Sequence, residues 1–120
     1  MKGLHLTADL YRCRCEPSWL ADAAQLEAWC AAAAQAVGLA PLAQAFHATE
    51  QGGASGTVLM DGAHVCVHTW PGEKAVAADV YVGDAADDQS AKARGLMFAL
   101  VQRFQPEWTE QRSLDRGEEE

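Results

Sequence analysis

Two apolar runs separated by an Asp-Gly pair constrain the fold of this chain more than any other sequence feature. The runs cover residues 57–60 and 63–68, and Asp61-Gly62 lies between them. An Asp-Gly pair flanked by apolar segments is typical of a β-hairpin with a two-residue connection. The pattern therefore predicts antiparallel strands in the middle of the chain.

Periodicity predicts the remaining elements. Apolar residues alternate with polar ones over residues 3–11, as in a half-buried strand. An Ala-rich segment has apolar residues at helical spacing; it opens at Pro17-Ser18 and is stopped by Gly38. Residues 90–104 show the same spacing and are followed by Pro106. Further strands are predicted at 42–47, 74–82 and 108–114, with loops at 51–56 and 83–89.

The order of these elements indicates an α+β fold. We expect a two-layer sandwich in which an antiparallel sheet carries two helices packed on one face. The other face of such a sheet is open to solvent or to a partner, so a dimer is compatible with the fold. With 120 residues the chain is expected to form a single domain over residues 1–115, followed by a disordered acidic tail at residues 116–120.

Composition excludes several classes of function. The formal charge of −8 disfavours nucleic acid and is compatible with cationic ligands such as polyamines or a sulfonium. No apolar run is long enough to span a membrane, and the first residues lack the pattern of a signal peptide. We therefore expect a cytoplasmic protein with no membrane partner, whose four cysteines are reduced thiols.

Several short motifs occur together along the chain. They are Gly3-Leu4-His5-Leu6 with Asp9-Leu10-Tyr11 and Cys13, Ser55-Gly56, His64, His68-Thr69-Trp70-Pro71, and Ala78-Asp79-Val80-Tyr81. In this combination the chain resembles the short prokaryotic S-adenosylmethionine decarboxylases, from about Gly3 through the second helix. His-Thr-Trp-Pro behind the hairpin is the most specific of these motifs.

The resemblance implies an unusual enzyme of spermidine synthesis. Members of this family are made as inactive proenzymes that cut their own backbone before a serine in the hairpin. That serine becomes a pyruvoyl group, which forms a Schiff base with S-adenosylmethionine and accepts electrons as carbon dioxide leaves. The active sites of the family form in dimers.

The position of the reactive serine is occupied by alanine. The family pattern Glu-Ser-His falls on Gly62, Ala63 and His64. Self-cleavage needs a side-chain nucleophile, and the elimination that follows needs a heteroatom on Cβ as leaving group. A methyl group supplies neither, so we expect no pyruvoyl cofactor to form here.

Three further departures concern other parts of the family site. The family's acid cysteine aligns with Gly83, and the acidic residue after Trp-Pro aligns with Gly72. A Phe-x-Pro motif that shapes the ligand pocket appears here as residues 46–49. Four separate losses indicate natural decay of the site rather than one change made in the laboratory.

Other positions of the family site are retained. By resemblance, Ser55 and His68 assist processing, while Trp70 and His64 lie with Gly62 and Gly72 at the substrate position. The alternative interpretations are a turn serine, a histidine at a strand end and an aromatic core anchor at Trp70. We expect Trp70 to be structural under either interpretation.

Two other hypotheses involve Cys66. Its thiol could replace the missing nucleophile, but it lies inside the predicted strand, on the opposite face from Ala63. His64, Cys66 and His68 would share one strand face and could bind zinc. Neighbours at i and i+2 are nearly 7 Å apart, however, so we expect a buried cysteine and no metal site. Cys13 and Cys15 are expected to mark a strand end.

Three functions remain open. The first is a catalytically impaired member that pairs with an active family copy and regulates it, as a homodimer or a heterodimer. The second is a binding protein for S-adenosylmethionine or a polyamine. The third is an active pyruvoyl-dependent decarboxylase that uses an unrecognised route. The missing Ser and Cys side chains favour the first two.

Overall fold

A computed structural model describes residues 1–83 and 88–117. Its strands are β1 (Gly3–Tyr11), β2 (Pro41–Ala48), β3 (Ala54–Met60), β4 (Ala63–Trp70), β5 (Ala75–Gly83) and β6 (Trp108–Arg116). Its helices are α1 (Ser18–Ala21), α2 (Ala23–Ala36) and α3 (Ser90–Phe104), and a short 3₁₀ turn covers Pro71–Glu73.

The six strands form one antiparallel sheet in the order β2-β3-β4-β5-β1-β6. Helix α2 packs on β2 and β3, and α3 packs on β5 and β1. The helices therefore cover one face of the sheet, which confirms the predicted α+β sandwich.

The core lies between the helices and the inner face of the sheet. Alternate residues of β1, β4 and β5 point inward, because successive side chains of a strand point to opposite faces. The largest fully buried side chains are Phe104, Leu10, Leu26, Leu96, Leu100, Val58, Val65, Val67, Val76, Val80, Val82 and Cys30. The opposite face of the sheet, which we call the outer face, is not covered by the helices.

The Ala-rich segment forms two helices rather than the single helix predicted. Asp22 has an extended backbone conformation (φ −98°, ψ 101°), which ends α1. Its carboxylate accepts a hydrogen bond from the backbone N–H of Gln25 at 3.1 Å, so Asp22 also caps the start of α2. The helical spacing of apolar residues continues across the break, which is why periodicity alone did not reveal it.

Other differences concern the ends of elements. Strand β3 begins at Ala54, so Ser55 and Gly56 belong to the sheet and not to the predicted loop. Strand β6 runs to Arg116, which was assigned to the acidic tail. Residues 118–120 of that tail and residues 84–87 of the predicted polar loop lie outside the described residues.

All four cysteines are free, and Cys13 and Cys15 follow the end of β1 as predicted. Burial raises the pKa of Cys13 to about 11 and that of Cys30 to about 12, so both thiols are protonated at neutral pH. Among the described residues, no helix has the length and apolar character needed to cross a membrane.

Candidate functional site

Three predicted site residues of β4, His64, His68 and Trp70, lie on the outer face together with Cys66. His64, Cys66, His68 and Trp70 are partly or fully exposed there, as the alternating burial of the strand shows. This confirms that His64, Cys66 and His68 share one face. The side chains between them point into the core.

Ser55 and His68 form a side-chain pair across two strands. They are directly opposite in the pairing of β3 with β4, and Ser55 Oγ lies 2.8 Å from Nδ1 of His68. Ser55 is a strand residue, so the alternative of a turn serine is wrong. A serine hydroxyl bonded to an imidazole can exchange a proton with it, which is the chemistry expected of groups that assist backbone cleavage.

Trp70 is not a core anchor, so the alternative interpretation of this residue is wrong. Its side chain is 39% exposed on the outer face, and its ring lies 6.3 Å from that of His68. Gly72 lies just beyond it in the 3₁₀ turn. The aromatic surface of Trp70 is therefore available to a ligand or a partner.

The positions matched to the family's cleavage turn lie at the other end of the hairpin. Met60 pairs with Ala63, and Asp61 and Gly62 form the tight turn between them. Gly62 has φ +69°, a conformation that favours glycine. The backbone N–H of Gly83 donates to the carbonyl oxygen of Gly62 at 3.0 Å, so the structure brings residues 62, 63 and 83 together.

The residues at this turn do not fit a pyruvoyl group. Ala63 is 9% exposed, and its methyl group points into the core. It offers neither a nucleophile for the Gly62 carbonyl nor a heteroatom to eliminate. A Cβ added at Gly83 would lie 3.3 Å from the Gly62 oxygen, so the space beside this carbonyl is narrow.

The Ser55–His68 pair and the altered position Ala63 are far apart within one chain. His68 and Ala63 are five residues apart on β4. At about 3.3 Å per residue, this separation is about 17 Å. The structure therefore does not bring all the predicted site residues into one cluster.

Cys66 is held inside the sheet. It pairs with Thr57 on β3 and Asp79 on β5, and its thiol donates to Thr57 Oγ1 at 3.2 Å. Burial raises the pKa of the Cys66 thiol. The side chain is only partly buried, contrary to the expected buried cysteine, but it faces away from Ala63 as predicted. Its backbone is committed to regular strand pairing, and this does not favour a role as substitute nucleophile.

Thr69 has a structural role. It is 3% exposed, and its hydroxyl donates to the carbonyl oxygen of Leu20 at 2.7 Å. The hydroxyl oxygen of Thr69 also accepts a hydrogen bond from the backbone N–H of Ala54 at 2.9 Å. One side chain of the His-Thr-Trp-Pro motif therefore joins α1, β3 and β4.

Sequence reasoning missed a second cluster on the outer face. His64 Nε2 lies 3.0 Å from Asp79 Oδ1, and His5 Nε2 lies 3.5 Å from the same oxygen. The rings of His64 and Tyr81 stack at 5.8 Å. The period-2 patterns of β1 and β5 were the signal available, but only the strand register shows that these residues meet.

Comparison with known proteins identifies the family. The family model for S-adenosylmethionine decarboxylase matches residues 4–117. The S-adenosylmethionine decarboxylase proenzyme of Sulfurihydrogenibium sp. (strain YO3AOP1) is 29% identical over 115 residues, covering 96% of this chain and 82% of the relative. The proenzyme of Parasynechococcus marenigrum (strain WH8102) is 34% identical over 94 residues, covering 78% and 72%.

A solved structure supports the same assignment. The crystal structure of the adenosylmethionine decarboxylase from Aquifex aeolicus VF5 is similar with a TM-score of 0.83 and 25% sequence identity. The match covers 98% of this chain and 92% of that chain. Together with the family match over residues 4–117, this shows that the chain belongs to the S-adenosylmethionine decarboxylase family.

Proposed function

We propose that this chain is a non-processing member of its family that acts as the partner of a second family chain. The family is pyruvoyl-dependent and serves polyamine biosynthesis. One observation carries the proposal: the Ser55–His68 hydrogen bond is intact, whereas Ala63 and Gly83 carry no reactive side-chain atom. The chain keeps the assisting part of the site and lacks the reacting part.

The separation within the chain supports a role in trans. His68 is about 17 Å from Ala63, and Ser55 lies beside His68, so this pair cannot act on the turn of its own chain. In a two-fold symmetric pair, each copy presents the same surface to the other. Pairing through the outer face would allow Ser55 and His68 of one copy to face the hairpin turn of its partner.

Exposed apolar side chains on the outer face support such pairing. Leu59 of β3 lies opposite His64, and Leu114 of β6 lies opposite His5, so both leucines point to the outer face. Both are well exposed, as are Trp70 and Trp108. A sheet face with exposed large apolar side chains is stabilised when a second sheet covers it. We propose a second family chain, identical or serine-containing, as the occupant.

A substitution on the outer face tests the proposal. We expect the native chain to be a dimer in size-exclusion chromatography with light scattering, and Leu59→Asp to be a monomer. Leu59 is 48% exposed, so a charge there leaves the isolated fold intact but is costly to bury at an interface. Phe98→Asp is the matched control, because Phe98 is 65% exposed on the helical side. A native chain that stays monomeric both alone and when mixed with a serine-containing family chain, or equal behaviour of both variants, would contradict the proposal.

Binding of S-adenosylmethionine or a polyamine is the second candidate. Trp70 is exposed beside His68, and an aromatic face attracts a sulfonium or ammonium group. The carboxylates of Asp9 and Asp79 are partly exposed on the same face. Thermal stabilisation by either ligand without release of carbon dioxide would favour this candidate, and no effect would favour the partner role.

Decarboxylation by an unrecognised route is the weakest candidate. It needs a carbonyl that accepts electrons, and Ala63 provides no route to one. Cys66 is the alternative nucleophile considered from the sequence, but its thiol is hydrogen-bonded to Thr57 within a paired strand. Release of carbon dioxide by the purified chain would revive this candidate.

A further inference from the structure

We propose that His5, His64 and Asp79 form a binding site for a divalent transition-metal ion, for which zinc is the best fit. The three residues lie on β1, β4 and β5, which are adjacent strands of the sheet. His5 and His64 lie opposite Tyr81 from its two sides, and Asp79 is the next residue of β5 on the same face. Their ligand atoms all lie within 4.8 Å of one another.

The distances fit one ion held by all three side chains. Oδ1 of Asp79 lies 3.0 Å from Nε2 of His64 and 3.5 Å from Nε2 of His5. Zinc binds nitrogen and oxygen at about 2.0–2.2 Å, so neighbouring ligand atoms of a tetrahedral site are about 3.3 Å apart. The two observed distances bracket that value. The ligand nitrogens of His5 and His64 lie within 4.8 Å of each other, so the third pair must close to complete a tetrahedral site.

The free state of the cluster leaves one ligand atom unsatisfied. Nε2 of His5 is buried and has no hydrogen-bond partner among the described residues. Its approach to Asp79 does not have the geometry of a hydrogen bond. Buried polar atoms are normally paired, so this nitrogen indicates a missing partner. In the other tautomer, with the proton on Nδ1 and the Arg116 contact released, Nε2 presents a lone pair that a metal ion would occupy.

The ligand set selects the class of ion. Two imidazole nitrogens and one carboxylate oxygen suit zinc and its neighbours, whereas magnesium and calcium prefer oxygen ligands. Three protein ligands leave a fourth position open for water or another small ligand. Cys66 is not part of the set, since its thiol is bonded to Thr57. The expectation of no metal site applied to His64, Cys66 and His68 on one strand. The cluster proposed here has one ligand on each of three strands.

The positive charge of Arg116 opposes metal binding at this site, and this gives a further prediction. Nη1 of Arg116 lies 3.5 Å from Nδ1 of His5, which places a positive charge beside the site. A ligating histidine usually donates its second ring N–H to an acceptor, and a guanidinium cannot accept it. Removal of this charge by Arg116→Gln should therefore strengthen metal binding. The site is complete within one chain and does not depend on the proposed pairing.

Isothermal titration calorimetry of the untagged chain with zinc chloride tests the inference. We expect one zinc per chain, no binding of magnesium, and a loss of affinity of at least about 100-fold in His64→Ala and Asp79→Asn. His47→Ala is the matched control, because His47 is exposed on β2 and outside the cluster. Arg116→Gln should bind more tightly than the native chain.

Melting curves without metal and with zinc distinguish loss of binding from loss of folding. Melting curves without metal show whether each variant folds, and Asp79→Asn preserves the shape of the side chain. Zinc should raise the melting temperature of the native chain and of His47→Ala, but not that of His64→Ala. Absence of zinc binding, or equal weakening in His47→Ala and His64→Ala, would overturn the proposal.

Discussion

Ala63→Ser alone is expected to leave the chain almost uncleaved, whereas the triple variant with Gly62→Glu and Gly83→Cys should cut its own backbone. The new serine supplies the nucleophile and the leaving group that the methyl of Ala63 lacks. Gly62, however, rests in a left-handed conformation (φ +69°) that glycine adopts without strain. A glutamate in this left-handed conformation raises the free energy of the folded chain by about 1–2 kcal/mol. We expect this strain to favour cleavage of the peptide bond between residues 62 and 63.

The absence of a side chain at Gly83 is expected to slow the same self-cleavage. The N–H of Gly83 already holds the carbonyl of Gly62, and a Cβ there would lie 3.3 Å from that oxygen. A cysteine at this position places a proton donor beside the carbonyl that changes during cleavage. Such groups contribute about 10²- to 10⁴-fold to a rate, so the triple variant should cleave at least about 10²-fold faster than Ala63→Ser.

Intact-mass spectrometry over time measures both cleavage rates. The double variant Gly62→Glu, Gly83→Cys is the control, because it keeps Ala63 and must stay unbroken. Rapid processing by Ala63→Ser alone would show that the rest of the site is intact. In that case Gly62 and Gly83 would not limit self-cleavage, contrary to the prediction.

Thr69→Val is expected to reduce the free energy of unfolding by about 2–4 kcal/mol. The substitution keeps the shape of the side chain but removes the oxygen that bonds Leu20 and Ala54. It leaves a buried carbonyl and a buried N–H without partners, and each such group costs about 1–3 kcal/mol. For a chain of 120 residues we expect the melting temperature to fall by roughly 10 °C.

Thr57→Val is the matched control for this measurement. Thr57 is only partly buried; its hydroxyl donates to the carbonyl oxygen of Val65 and accepts a weak hydrogen bond from the Cys66 thiol. Solvent is closer to these groups, so we expect a loss below about 1 kcal/mol. If both variants lose the same free energy of unfolding, the hydrogen bonds of Thr69 to Leu20 and Ala54 do not stabilise the fold as described.

The hydrogen bonds of Thr69 give the His-Thr-Trp-Pro motif a structural role that is independent of catalysis. His68-Thr69-Trp70-Pro71 was the most specific motif of the resemblance, yet its threonine faces the core and joins three elements. Selection for folding alone would preserve it. The motif therefore identifies the family without showing that the chemistry is retained.

Local patterns predicted most of the fold. Strand β1 and helix α3 have the predicted bounds, because their apolar periods are regular from end to end. The break at Asp22 was missed, since its cause is a single carboxylate that caps α2. The alternation of β4 correctly placed His64 and His68 on one face.

The arrangement of the site could not be predicted in the same way. The resemblance located Ser55, His68 and Ala63, but only the pairing of β3 with β4 shows that the first two meet far from the third. His5 and Asp79 meet through the register of β1 with β5. Contacts between residues distant in sequence depend on strand order, which local periodicity does not encode.

The mass of the purified native chain tests the central claim most directly. If Ala63 has ended self-cleavage, electrospray spectrometry after prolonged incubation will show one unbroken species of 12.9 kDa. Two fragments split between Gly62 and Ala63, or between Val65 and Cys66, would contradict the account.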